Sequence, residues 1–404
     1  MNKWIASCIL LACTAVSAQS RFVHTEGQNL VAPDGKPLLL RGTNLGNWLV
    51  QEGYMFGLKD GPQSAREIEA FFNELIGPAE AANFWQAYRD NYVTEDDIRF
   101  LHQAGVNSLR VPFHYRFFEP GNDEGFARID KLAGWAHKYG IYLVLDMHCA
   151  PGGQTGTNID DSWGYPWLFE SPEEQERTIA VWKRIAEHYR DNPTILGYDL
   201  LNEPIPHFPQ VQKYNAALEP LYKRITAAIR QVDAHHVIIL GGARWDTNFS
   251  VFGAPFDRNA MYTFHTYWSP ATDAQIKPYT DFRARYNVPL WLSESGENTD
   301  EWIGAFRAVL DRNQIGWAFW PYKKMEATTS FVAWRKPANW DEIVAYAKTR
   351  GSVGAAEKQI AARPSLQDSR AALDDLLQNI KLGKCRVNPG YLGALGLQTP
   401  AATH

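Results

Sequence analysis

Short runs of consecutive apolar residues alternate along the chain with longer stretches whose apolar positions recur every three or four residues. The short runs fall at residues 106–111, 141–146, 195–201, 237–240, 261–265, 289–293 and 315–320. Apolarity without a polar alternate predicts strands buried on both faces, as in a parallel sheet. Leu38-Leu39-Leu40 running into Arg41-Gly42-Thr43-Asn44 predicts one more strand, first in chain order, for eight in all. Helical periodicity lies between them, at 129–139, 171–190, 211–232 and 299–312. Thr94 before Glu95-Asp96-Asp97 marks a further helix start, an N-cap followed by acids in the first turn. Repeated alternation of strand and helix predicts an α/β fold, and the count of eight predicts closure into a (β/α)8 barrel. A doubly wound open sheet would carry a glycine-rich phosphate turn after its first strand, and Thr43-Asn44-Leu45-Gly46 is not one.

Ahead of the barrel, residues 22–40 read as a β-hairpin turning at Asp34-Gly35. Behind it, 366–380 predicts a helix, and Tyr391-Leu392-Gly393-Ala394-Leu395 is apolar enough to pack. No Pro/Gly/Ser linker divides the chain and no repeat of solenoid length occurs. The predicted organisation is a signal peptide at 1–18, a catalytic barrel at 19–350 and a C-terminal helical extension at 351–404 packed on the barrel.

The signal peptide rests on Lys3, an apolar run over 4–16 and the small residues Val16-Ser17-Ala18. It implies a secreted or periplasmic protein. Leu10-Leu11-Ala12-Cys13 offers a lipoprotein alternative anchored through Cys13, disfavoured by the conventional cleavage site that follows it. No later stretch is long and apolar enough to span a bilayer. The net charge of −5 and the lack of a basic stripe argue against a nucleic-acid partner. The 15 tryptophans suit stacking on sugar rings, although they also suit cores. Cys149 and Cys385 would be left after cleavage, and nothing in the sequence brings them together as a disulfide.

Barrel chemistry sits at the C-terminal ends of strands. Here those ends supply Asn44, Arg110, His148, Asn202-Glu203, Gly241-Gly242, His265 with Tyr267, Glu294 and Trp320. Glu203 and Glu294 follow strands four and seven, on opposite sides of the barrel mouth. Two carboxyl groups facing one another across a sugar bond are what glycoside hydrolysis needs.

Leu201-Asn202-Glu203-Pro204 and Pro289-Leu290-Trp291-Leu292-Ser293-Glu294 resemble the acid/base and nucleophile strands of glycoside hydrolase family 5. Arg110, His148, His265-Thr266-Tyr267 and Trp320 fall in matching order, over about residues 38–348. The resemblance implies a retaining O-glycosyl hydrolase of the β-glucanase or cellulase type. Glu203 would be the acid/base, protonated at rest, and Glu294 the ionised nucleophile, about 5 Å away. Arg110 and Tyr267 would serve Glu294, and Asn202 would bind the sugar 2-hydroxyl. His148 and His265 would contact sugar or orient the carboxyls, and Trp320 would be the stacking floor. It further implies a β-linked oligo- or polysaccharide as partner, no cofactor, no metal and action as a monomer. A β-mannan or an exo-β-glucosidase substrate fits the same scaffold, as does transglycosylation.

Other readings stand beside these. Glu297 rivals Glu294, being the acid of Ser295-Gly296-Glu297. A metal at His148, His265, Asp160 and Asp161 lacks any ligand-spacing motif. Cys149 as a nucleophile beside His148 is disfavoured because adjacent strand residues face opposite ways. Trp163, Tyr165 and Trp167 line outer sugar subsites or form a loop mini-core, and the segment 47–56, Trp245 and Trp268 have the same two readings. A silent carbohydrate-binding barrel would need a catalytic position replaced, yet both glutamates are present.

Overall fold

The computed structural model describes residues 21–349 and 356–400. The expected signal peptide and the expected boundary at residue 350 lie outside those residues. Three short strands, β1 (His24–Glu26), β2 (Asn29–Val31) and β3 (Pro37–Leu38), form an antiparallel sheet, one strand more than the expected hairpin. Eight parallel strands follow: β4 (Arg41–Asn44), β5 (Ser108–His114), β6 (Tyr142–Cys149), β7 (Ile195–Asp199), β8 (Val237–Gly241), β9 (Ala260–His265), β10 (Leu290–Glu294) and β11 (Gly316–Phe319). They close as a barrel, β11 pairing with β4 as well as with β10.

The unbroken apolar runs have a simple cause. In β8, Val237 and Ile239 pack inside the barrel with Val144, Leu196, Met261 and Trp291. Their neighbours Ile238 and Leu240 pack outward against the helical layer. Both faces are dry, so both alternating sets are apolar. Val23 and Leu30 of the N-terminal sheet join the inner cluster, so that sheet plugs one end of the barrel. Truncating Trp291 to alanine would cost about 3–5 kcal/mol for the cavity left behind.

The helices start where capping chemistry places them. Thr94 and Asp97 form a reciprocal capping box for Glu95–Ala104. Ser171 and Thr299 accept the amides of Glu174 and Trp302 to open Pro172–Tyr189 and Asp300–Arg312. Two helices not anticipated, Ala65–Ile76 and Pro78–Tyr92, fill the long excursion after β4. A Ser64/Glu67 capping box and Pro78 just past Gly77 are their signals. Asp273–Tyr286 and Trp340–Ala347 are likewise additional.

The C-terminal segment carries the expected helix, Leu366–Asn379, then a strand and a short helix, Pro389–Ala394. β12 (Lys323–Met325), β13 (Val332–Trp334) and β14 (Arg386–Val387) form a sheet that ties this segment to the loop leaving β11. Tyr391 is buried, and its hydroxyl donates to the Trp320 carbonyl at 3.2 Å. Cys149 and Cys385 are both free thiols, Cys149 buried at the end of β6 and Cys385 in this segment. Among the described residues no helix is long and apolar enough to cross a membrane.

Candidate active site

Arg110, fully buried in β5, organises the floor of the barrel mouth. Its guanidinium has five N–H groups and no acceptor. Nε donates to Asp199 at 2.8 Å, and one terminal nitrogen donates to Asn44 Oδ1 at 3.1 Å and to Glu294 Oε1 at 2.5 Å. The other donates to Asn202 Oδ1 at 2.9 Å and lies 3.0 Å from Asp146. Burial works against this charge, but Asp146, Asp199 and Glu294 outweigh it and hold its pKa above the ordinary value. The two aspartates are pushed up to about 7 by the same burial, opposed by Arg110.

Glu294 ends β10, level with His265 of β9 through an irregular register after Leu292. Arg110 takes one of its oxygens, and Tyr267 Oη donates to the other at 3.0 Å. Across the mouth, Glu203 follows β7 with a left-handed φ of 48°. Its amide donates to Asp246 at 3.0 Å, and its Oε1 lies 2.8 Å from His265 Nδ1. Burial pushes Glu203 up to about 7, whereas it pushes His265 down to about 3, so the imidazole between the carboxyls is neutral. An oxygen of Glu203, a nitrogen of His265 and an oxygen of Glu294 all lie within 4.8 Å of one another.

His148 is neutral as well, driven down to about 4 by burial. Its tautomer follows from its neighbours. The Asn202 carbonyl oxygen is spent on Arg110, so the Asn202 amide nitrogen, 3.4 Å from Nε2, must donate there. The ring proton therefore sits on Nδ1 and is donated to Asp146 at 2.8 Å. Trp320 lies parallel to this ring at 5.7 Å, and its own N–H is donated to Tyr54 Oη at 2.7 Å. An added Cβ on Gly46 would come within 2.4 Å of the Trp320 ring, so glycine is required there.

These groups surround a cavity of about 610 Å³. His148, Asn202, Glu203, His265, Tyr267, Glu294 and Trp320 line it, with Arg110 behind Asn202 and Glu294. Glu297 lines it too, but its carboxylate is bound to Lys324 at 2.6 Å in the loop beyond β10. The three carboxyl and imidazole groups within 4.8 Å are, among the described residues, the one cluster with metal-ligand convergence. Asp160 instead holds the Thr155 amide at 2.5 Å and Asp161 the His114 ring at 3.3 Å, so they serve the loop after β6. Cys149 is buried with its pKa raised by burial and is no nucleophile. Trp163 lies against the Arg66 guanidinium yet is 70% exposed, and Trp167, 45% exposed, packs on Tyr165, so these rings form no buried mini-core, and none of the three lines this cavity. Trp48 and Phe56 are core, whereas Tyr54, Trp245 and Trp268 do line the cavity.

Glu52 and Asp246 were not anticipated. Glu52 lines the cavity, 6% exposed, and its carboxyl is raised by burial and then by Glu294 and Glu203. Asp246 is buried in a left-handed turn, Arg244 to Asp246, with φ of 57°, 61° and 59°. A Cβ on Gly241 would lie 2.0 Å from its carboxyl oxygen. Both acids sit on irregular loops, where no periodicity points to them.

Residues 72–326 match the family described as cellulase (glycosyl hydrolase family 5). A β-xylosidase from Phanerodontia chrysosporium is 33% identical over 299 residues, covering 70% of this chain and 59% of that protein. The chain thus spans less than two thirds of that relative's length. Endoglucanase C of Acetivibrio thermocellus is 24% identical over 311 residues, covering 60% of this chain and 88% of the other. The crystal structure of an endogalactoceramidase shares the fold, with a TM-score of 0.57, 21% identity and 75% of each chain covered.

Proposed function

The chain belongs to glycosyl hydrolase family 5, and on that premise we propose that it is a retaining β-glycosidase with Glu203 as acid/base and Glu294 as nucleophile. The observation carrying this reading is the approach of the two carboxyls across the cavity to within 4.8 Å. Retention needs a separation of about 5 Å, whereas inversion needs about 6.5–9.5 Å to admit a water molecule.

In the first step a Glu294 oxygen attacks the anomeric carbon while Glu203 gives its proton to the departing glycosidic oxygen. Arg110 and Tyr267 each hold one Glu294 oxygen, which fixes the attacking lone pair. The product is a glycosyl ester on Glu294 and a free alcohol. Forming the ester removes the Glu294 charge, so Glu203 gives up a proton more readily than before. It then takes one from water as that water attacks the same carbon and releases Glu294. Asn202 keeps an amide N–H for the 2-hydroxyl, Trp320 offers its ring as floor, and the uncommitted Glu52 carboxyl reads further hydroxyls.

The substrate we infer is a β-linked glucoside or β-glucan, with β-mannan next. A β-xyloside reading is favoured by the β-xylosidase relative. The N-terminal segment is read as an export signal, so the proposed location is outside the cytoplasm, and action as a monomer is a separate part of the proposal. The test is sugar release from β-glucans, β-mannan, β-xylan and short β-glycosides, followed by proton NMR of the first anomer formed. A β-anomer released by wild type, and a loss of at least about 10⁴-fold in Glu294→Gln, are expected. An α-anomer formed first, or full activity in the variant, would overturn the assignment.

A further inference from the structure

Residues 202–205, the turn that carries Glu203 away from β7, borrow their conformation from neighbours. Glu203 and Ile205 are both left-handed, at φ of 48° and 57°. That backbone is strained for residues with a Cβ, most of all for β-branched Ile205, and persists only where surrounding contacts impose it. Pro204 has no N–H to give. The other three amides all donate outside the turn. Asn202 donates to the Met147 carbonyl at 3.1 Å, Glu203 to Asp246 at 3.0 Å and Ile205 to the Gln154 carbonyl at 3.1 Å.

Gln154, in the loop after β6, grips the turn a second time with its side chain. The β6–β7 ladder ends at the pair Asp146 and Asp199. Past that pair the His148 and Asn202 carbonyls converge, and two acceptors cannot satisfy one another. Gln154 Nε2 donates to the first at 2.8 Å and to the second at 2.9 Å. The Ala150 amide donates to Gln154 Oε1 at 3.1 Å, which fixes the orientation of the side-chain amide. A flipped amide would set oxygen against two carbonyls and nitrogen against an N–H. Gln154 is fully buried, so solvent offers no substitute donor, and buried carbonyls left unpaired are costly.

The grip falls on both sides of Glu203, on the carbonyl before it and on the second amide after it. Gln154 stands behind His148 and Asn202, which line the cavity, so it acts only through them and the turn.

Resting on the retaining-glycosidase reading, we propose that Gln154 is a positioning residue for proton delivery, whose clamp on residues 202–205 aims the Glu203 carboxyl at the departing oxygen. The loop after β6 thereby controls the acid as well as walling the cavity.

The experiment compares wild type, Gln154→Glu and Gln154→Leu on methyl and 2,4-dinitrophenyl β-D-glucosides. Xylosides replace glucosides if the panel above selects xylose. Methanol needs a proton to leave and dinitrophenolate does not. The methyl-to-dinitrophenyl ratio of kcat/KM therefore reports proton delivery and cancels any loss of folded enzyme. Glutamate keeps the shape of Gln154 with at most one donor, and leucine offers none. Misplacing a reacting group by about 1 Å costs up to about 10²-fold. The ratio should fall at least about tenfold in Gln154→Glu and further in Gln154→Leu, and the glutamate variant carries the test if the leucine variant does not fold. Glu203→Ala sets the ratio for an acid lost outright. A ratio lowered in Glu203→Ala but unchanged in the Gln154 variants would overturn this proposal alone. A ratio unchanged in Glu203→Ala as well would overturn the acid assignment on which it rests.

Discussion

The two carboxyls of the cavity are held in opposite ways. Glu294 ends a regular strand, and each of its oxygens receives a hydrogen bond from a fixed donor, Arg110 or Tyr267. Glu203 stands on left-handed backbone, and its amide is held by Asp246, itself part of a left-handed turn. In the proposed mechanism the nucleophile must present one lone pair in one direction, which an ionic network on strands provides. The proposed acid must hold a proton near neutrality and later take one back, which burial that outweighs the pull of His148 and Arg110 provides. The contrast is that charge is fixed by regular structure on one side and proton affinity by irregular structure on the other.

The largest expected effect comes from breaking the network. Arg110→Met removes the cation shared by Asp146, Asp199 and Glu294, leaving buried carboxyls without their counter-charge. Breaking a buried ionic cluster costs about 3–5 kcal/mol, or roughly 4–6 °C in Tm for a chain of this length. kcat/KM should fall at least about 10³-fold. Calorimetry and kinetics on the same preparation check both, and a variant with unchanged Tm would show that the network does not stabilise the barrel.

This division also explains what the sequence made legible. Strands buried on both faces must be apolar throughout, so all eight could be read from 38–44 to 315–320. His148, Glu294 and Trp320 stand at or just past the ends of β6, β10 and β11, where strand ends mark the mouth, whereas the strand expected at 106–111 runs Ser108–His114 and holds Arg110 inside it, so Arg110 reaches the mouth by the length of its side chain. Asp146 and Asp199 interrupt apolar runs, and such buried acids require a buried cation, a signal that points to Arg110. Asp246 and Glu52 gave no such sign. Their placement depends on a left-handed turn and on the excursion after β4, whose conformations are set by tertiary contacts that no local pattern encodes. Trp163 and Trp245 looked alike in sequence, and only the loop path puts the first on Arg66 and the second in the cavity.

Next in size is removal of the acid. Glu203→Ala should lower kcat/KM about 10²–10⁴-fold on alkyl glycosides. On dinitrophenyl glycosides, whose leaving group needs no proton, glycosylation should slow by less than about tenfold. Equal losses on both would deny Glu203 the acid role. The same group sets the pH response. Burial favours its protonated form up to about pH 7. As pH rises beyond that the acid is lost, and wild-type kcat/KM should fall about tenfold per pH unit. His265, neutral down to about pH 3, contributes no limb in this range. A plateau extending to pH 9 would contradict the assignment.

Asp246 is a positioning residue, and its predicted effect is smaller. Asp246→Ala frees the Glu203 amide and should cost about tenfold in kcat, the worth of one buried hydrogen bond. Burial keeps the Asp246 carboxyl well above its usual pKa, so a neutral amide is close to its native state. Asp246→Asn should therefore restore most of the rate and leave the alkaline limb where it was. Equal defects in both variants would show that the charge, not the acceptor, matters.

The smallest effect should come from the Trp320 floor. Its indole N–H is buried and has the Tyr54 hydroxyl as acceptor. Tyr54→Phe keeps the ring, over which Lys324 lies at 4.5 Å, and removes only that oxygen. An orphaned buried donor costs about 1–3 kcal/mol, felt mainly as stability. The ring is also pinned by His148 on one face and by the close approach of Gly46, so it should shift little. KM should rise about two- to fivefold with kcat nearly constant, because the floor contacts sugar alike in the ground and transition states. A fall in kcat with KM unchanged would mean that Trp320 acts on the transition state, and would move it from the binding surface into the chemistry.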